Sequence, residues 1–277
     1  MKKNIALILA VLLSLCLTGC GKSQAVIDTE NAIRAIGEVN LNSRESIERA
    51  ERLYSILTDN EKSKIKERQT LVEARQAYEK LIKTTIYSKA KELYDILNGE
   101  YRILSNMIDD ATGAVSFVFN QSINNNYPSD VLEELTKSIP HLTRDELEKA
   151  IAWYSLENGI DRETIINRFS QLDADLIMYI LGTHYATSND VEKIDSEASE
   201  AKTILQELNE VYNDQLYYPK LKEYYLLLDA YPNFFDNIDF YDLGSYLNIS
   251  STINNARKPV EKEIIAIQKD LDLLFNR

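Results

Sequence analysis

The sequence predicts an all-α fold, and three features carry that expectation. Glycine and proline are scarce, 8 and 5 in 277 residues, where glycine alone usually makes up about 7%, so the tight turns of α/β folds have few sites. Apolar residues recur at steps of three and four over most of the chain, the spacing that puts them on one face of a helix. Helix-start signals punctuate that pattern, since Thr58 with Glu61, Asp130 with Glu133 and Thr143 with Glu146 each have the spacing of a capping box. The expected architecture is a small three-helix module followed by an elongated helical bundle with long, antiparallel, coiled-coil-like helices.

The chain opens with Lys2 and Lys3 and then an apolar stretch from Asn4 to Leu17, "NIALILAVLLSLCL", too short to span a bilayer comfortably. That is the shape of a signal peptide. Small Gly19 directly precedes Cys20, and Leu17 stands three residues before it. The sequence "LTGC" resembles the lipobox of bacterial lipoprotein precursors. The resemblance implies cleavage after Gly19 and a diacylglyceryl group on the Cys20 thiol, with palmitate-type chains holding the protein on the extracytoplasmic face of a cell membrane. Two acyl chains suffice for stable anchoring, at about 0.8 kcal/mol per buried methylene. The expected layout is a cleaved signal at 1–19 and a lipidated tether at 20–24. The alternative is an ordinary secretory signal cut elsewhere. Cys16 leaves with the leader, so no disulfide is expected.

Residues 25–83 read as three helices. Val26, Ile27, Ile33 and Ile36 share one face of the first, which Gly37 closes. Asn42 or Ser43 is the expected N-cap of the second, whose stripe is Ile47, Ala50, Leu53, Tyr54 and Leu57. The third carries Leu71, Ala74, Tyr78, Leu81 and Ile82. The "AIG-V-L-S" entry, the "AERLYSILT" helix and the "LT-x-x-E-K" turn resemble a small three-helix module of Gram-positive surface and secreted proteins. Arg68 stands where that pattern would have Asn. The resemblance implies a spacer or interaction module on a Gram-positive bacterium.

The domain from 84 to 277 begins with a helix of about 40 residues, about 60 Å long, through Ile86, Ala90, Leu93, Tyr94, Leu97, Leu104, Met107, Ile108, Ala111 and Val115. Gly99 is expected to bend it and residues 120–129 to end it. Pro140 then separates two capped helices, Gly159 closes the one holding Trp153, and Asp161 caps a helix expected to run through "ETIINRFSQLDADLIMYIL". Heptad-like seams follow at Ile194, Ala198, Ala201, Leu205, Leu208 and Tyr212, and again at Ile253, Ala256, Val260, Ile264, Ile267, Leu271 and Leu274. Residues 128–185 and 213–248 are expected to connect the long helices.

Charge and motif inventory narrow the function. The formal net charge is −13, and loss of residues 1–19 removes two lysines and no acid. This balance argues against nucleic acid as a partner and against electrostatic adhesion to anionic lipid or wall polymers, since both would repel the chain. His141 and His184 are the only histidines and lie in different segments, so no metal site or cofactor is expected. Neither G-x-S-x-G nor G-x-x-x-x-G-K occurs, and no catalytic residue is assigned. Asp236, Asp239 and Asp242 lack the alternation of an EF-hand loop and read as a solvated segment.

The aromatic stretch 217–247 is the candidate contact surface, with Tyr217, Tyr218, Tyr224, Tyr225, Tyr231, Phe234, Phe235 and Tyr241 suited to sugar rings or protein hot spots. The competing reading is that alternate rings fill the end of the bundle. The expectation overall is a lipid-anchored extracytoplasmic protein without catalytic activity, a spacer, scaffold or binding module with a protein or cell-wall partner. Alternatives are a small-ligand or glycan-binding lipoprotein and a cell-wall-active enzyme.

Overall fold

The structure, a computed structural model, describes residues 22–125, 127–233 and 249–276. It is all-α, with no strand among the described residues. The chain divides into two compact units, Met1–Thr85 and Ile86–Arg277.

The first unit contains α1 (Gln24–Arg34), α2 (Arg44–Ser55), the single turn α3 (Asp59–Lys62) and the beginning of α4 (Arg68–Asn124). Ser23 caps α1 by accepting the Val26 amide, and Gly37, at φ +61°, reverses the chain after it. A glycine suits that conformation because a Cβ there would strain against the backbone. The turn into α2 is closed by Asn40, which precedes the two expected caps. The Asn40 side chain accepts the amide of Asn42, and the Ser43 hydroxyl reaches back to accept the Asn40 amide. Ser43 occupies the N-cap position of α2 without a side-chain bond into that helix. Thr58 and Glu61 form the expected reciprocal box. Val26, Ile33, Ile47, Ala50, Leu57, Ile65, Leu71, Ala74 and Tyr78 make the core.

The third helix of the expected module and the first long helix of the expected bundle are one element. Helix α4 runs 57 residues without interruption, and the unit boundary falls inside it. The helix continues through Gly99. A lone glycine costs a helix only about 1 kcal/mol, less than the packing of α4 on its neighbours supplies.

In the second unit α4 is followed by α5 (Val131–Ser138), α6 (Arg144–Asn158), α7 (Arg162–Ser170), α8 (Ala174–Thr187), α9 (Asn189–Gln206), α10 (Tyr218–Ala230) and α11 (Ile249–Phe275). Asp130, Thr143 and Asp161 cap α5, α6 and α7 through their side chains. Gly159, at φ +64°, closes α6. The helix expected from Glu163 to Leu181 is broken into α7 and α8 at Leu172, which takes φ +59°, and Asp173 caps the second piece. The apolar pattern crosses the break because both halves face one core, formed by Phe117, Leu135, Ile139, Leu147, Ile151, Ile165, Phe169, Ile177, Ile180 and their neighbours.

The other core of this unit packs α4 against α9, α10 and α11. Tyr87, Tyr94 and Tyr101 on α4 meet Tyr217, Tyr224 and Tyr231 at centroid distances of 6.3, 6.4 and 5.7 Å. The seven-residue step on both strands of this ladder is a heptad register, and it fixes α4 and α10 as parallel. Contacts of Tyr94 with Asp272 and of Asp109 with Arg257 make α4 antiparallel to α11. The neighbours Lys89 with Glu207, and Gly99 with Glu197, make it antiparallel to α9. Helix α9 ends in a π-turn at Glu207–Val211. The buried Asp214 then accepts the amides of Leu216, Tyr217 and Tyr218, starting α10.

Candidate functional site

Where α4 passes between the two cores of the second unit, the apolar stripe is interrupted by Asp109 and Asp110. Successive residues on a helix point about 100° apart, so each carboxylate serves a different neighbour. Asp110 is fully buried. It receives the His141 amide at 2.9 Å and the Tyr185 hydroxyl, and His141 Nδ1 lies 3.1 Å from it. A buried carboxylate without such donors would be costly, so these bonds lock α8 and the α5–α6 turn onto α4. Asp109 pairs with Arg257 on α11. Arg257 Nε also lies 3.0 Å from Glu261, which accepts the Tyr231 hydroxyl at 2.9 Å.

Beside this junction is a cleft of about 380 Å³, lined by Asp109, Thr112, Gly113, Ser116, Phe117 and Asn120 of α4 with Ser138, Pro140 and Asn254. The Ser116 Oγ is buried with no hydrogen-bond partner among the described residues. The lining offers the Asp109 carboxylate, the amides of Asn120 and Asn254 and the hydroxyls of Thr112, Ser116 and Ser138.

A second acidic pair lies between α4 and α9. One carboxylate oxygen of Glu100 and one of Glu197 are buried without a hydrogen-bond partner among the described residues. Burial pushes the Glu100 carboxyl above its ordinary range, and the charges of Asp229 and Glu197 push it the same way. Among the described residues no group of three or more His, Cys, Asp or Glu is arranged to hold a metal ion.

The residues singled out in the sequence fall into three sets. Cys20, Gly19, Phe234, Phe235 and Tyr241, together with Asp236, Asp239 and Asp242, lie outside the described residues. Tyr217, Tyr224 and Tyr231 are core, at 8%, 0% and 0% exposure, which corrects their assignment to a contact surface. Their rings stand in the heptad ladder, and the Tyr224 hydroxyl closes a triangle with Asn98 and Gln268 at 2.7–2.9 Å. Burial pushes the phenol of Tyr94, its partner in the ladder, up to about 12. Tyr218 and Tyr225 are half-buried and keep part of each ring at the surface.

Exposed apolar groups that the sequence reading did not single out stand on α6 and α8. Leu156 is 85% exposed, Trp153 sits one turn before it, and the exposed Tyr179 meets Tyr154 edge-on at 5.2 Å. His141 lies on Asp110, and His184 meets edge-on the ring of Tyr185, whose hydroxyl donates to the same carboxylate. The clue to the junction was available in "MIDDATG", residues 107–113, where two acids and a glycine interrupt an apolar stripe.

Among the described residues no helix is long and apolar enough to cross a membrane. In comparisons with known proteins, no family model matches the chain, and no curated protein or solved structure matches it.

Proposed function

We propose that this chain is a lipid-anchored extracytoplasmic surface protein that works by position, as a spacer, scaffold or binding module. The observation that carries the reading is Cys20, placed directly after Gly19 at the point where the apolar run stops. Helix α1 begins at Gln24, so the acyl chains would hold the first unit close to a bilayer while the helical remainder meets a protein or cell-wall partner. The resemblance of residues 25–83 to a module of Gram-positive surface proteins favours a single-membrane host. Mass spectrometry of protein purified from its native host tests the reading. The expected species begins at residue 20 and carries a diacylglyceryl thioether; a retained leader or an unmodified Cys20 overturns it.

A second reading, capture of a small polar ligand or glycan, is favoured by the cleft beside Asp109 and its unpartnered Ser116 hydroxyl. A ligand that binds only the folded form raises the unfolding midpoint. Screening wall sugars and peptides against the wild type and Ser116→Leu would support this reading if a shift appears in the former and vanishes in the latter.

A further inference from the structure

We infer that the segment from Ile56 to Arg68 rests on the anionic headgroups of the membrane to which Cys20 is attached; the inference rests on the lipid-anchor reading. Chain length supplies the first step. Lys22 is two residues beyond Cys20, so at about 3.3–3.6 Å per residue their Cα atoms lie within about 7 Å of each other. From Lys22 onward the chain is held in place. The Lys22 ammonium pairs with Glu30, a carboxylate only 4% exposed. The Ser23 hydroxyl, which also caps α1, donates to Glu61 at 2.7 Å. The Glu30 carboxylate further accepts the Lys66 amide at 3.3 Å. Residues 22–23 and the loop after α3 are thus clamped together, and the loop is adjacent to the anchor.

The composition of that loop supplies the second step. Between Thr58 and Arg68 the chain carries Lys62, Lys64, Lys66 and Arg68 against Asp59, Glu61 and Glu67. Glu67 is ion-paired with Arg34, while Glu61 is held by the neutral hydroxyls of Ser23 and Thr58. Lys64, Lys66 and Arg68 are exposed and make no ion pair among the described residues. Ile56, at the end of α2, is 75% exposed, and Ile27, one turn from Ser23, is 39% exposed. Basic side chains beside bare aliphatic ones are the composition of a segment that lies in a membrane interface. The negative charge of the whole chain does not oppose this, because charges farther than about 8–10 Å from the headgroups are screened at physiological salt.

The test uses the mature-length chain, residues 20–277, in which Cys20 is the sole cysteine. Its thiol is coupled to a maleimide-headgroup phospholipid in vesicles, so the geometry is examined whether or not the host lipidates the protein. Lysine acetylation is then followed site by site by mass spectrometry. On vesicles containing phosphatidylglycerol, Lys64 and Lys66 are expected to react at least about threefold more slowly than on pure phosphatidylcholine. That protection should vanish at about 1 M salt, where the screening length falls to about 3 Å. Lys80 and Lys83, about 18 Å or more farther along α4, should not change. The double variant Ile56→Asp with Arg68→Glu, its helical content checked by circular dichroism, should abolish the protection. Equal rates on the two vesicles, or an equal slowing of all four lysines, would overturn the inference. A bare Cys20 in the native host would instead overturn the anchor reading and is seen in a separate measurement.

Discussion

Gly113 on α4 faces the carbonyl of Ser138 at the end of α5 so closely that a Cβ on the glycine would lie 2.0 Å from that oxygen. The contact is backbone against backbone, so neither side can swing away. Gly113→Ala is therefore expected to destabilise the protein by about 3 kcal/mol, at the upper end of overpacking costs. Chemical denaturation followed by circular dichroism checks it. Gly182→Ala, where the added carbon meets nothing within 4 Å, is the control and should be neutral or slightly stabilising.

The tyrosine ladder predicts unequal costs along one short helix. Tyr224→Ala removes a fully buried ring and should cost about 3–5 kcal/mol. Tyr224→Phe, which removes only the bonds to Asn98 and Gln268, should cost about 1–2 kcal/mol. Tyr225→Ala, at a half-buried site, should cost less than about 1 kcal/mol. A thermal-shift series over these variants separates core from surface. Similar losses at 224 and 225 would contradict the heptad register.

Asp110 is expected to be a lock between α4 and the helices it faces. Asp110→Ala withdraws the acceptor from the His141 amide and should cost about 2–4 kcal/mol. Tyr185→Phe removes a single donor and should cost about 1 kcal/mol. Hydrogen exchange at the His141 amide reports the lock directly and should speed up in the alanine variant.

The raised Glu100 carboxyl gives a pH dependence whose sign follows from linkage. The folded protein binds the Glu100 proton more tightly than the unfolded chain. This group's contribution is therefore fully present below pH about 4.3 and lost as pH rises through the folded value. Glu100→Gln should be more stable than wild type at neutral pH, with the advantage shrinking toward pH 4. Paired urea titrations at pH 4 and pH 7 measure it.

Glu30 carries the opposite sign. The Lys22 ammonium beside it, helped by the Lys66 amide, holds its carboxyl below the ordinary range. Its contribution is present above pH about 4.3 and is lost as pH falls through the folded value. Lys22→Ala should destabilise the first unit by about 1 kcal/mol at neutral pH and make that loss smaller in acid. Exchange protection of the α1 amides in the two proteins is the measurement.

Much of the helical architecture was legible because it rests on local rules. The boxes at Thr58 and Thr143 and the caps at Asp130, Gly159 and Asp161 stand where their spacing placed them. The two heptad seams mark α9 and α11, and most of their residues enter the same core. The continuity of α4 through Gly99 was not legible, since a glycine reads the same whether its helix is supported on both sides or not. The break at Leu172 was hidden because both helices present apolar residues to one core, so the periodicity never pauses. Of the candidate site, only the acids of "MIDDATG" gave a sign.

By itself the sequence determined the class of the fold, the helix caps and the steeply acidic balance, because propensity, capping and composition act over a few residues at a time. Tertiary structure alone decided which rings became interior. Tyr224 and Tyr225 are neighbours of identical chemistry, and one is sealed while the other is half open because Tyr94, 130 positions earlier in the chain, presents its ring on the matching heptad face. A side chain's fate depends on what packs against it, and a partner brought from so far along the chain leaves no trace in the residues beside it.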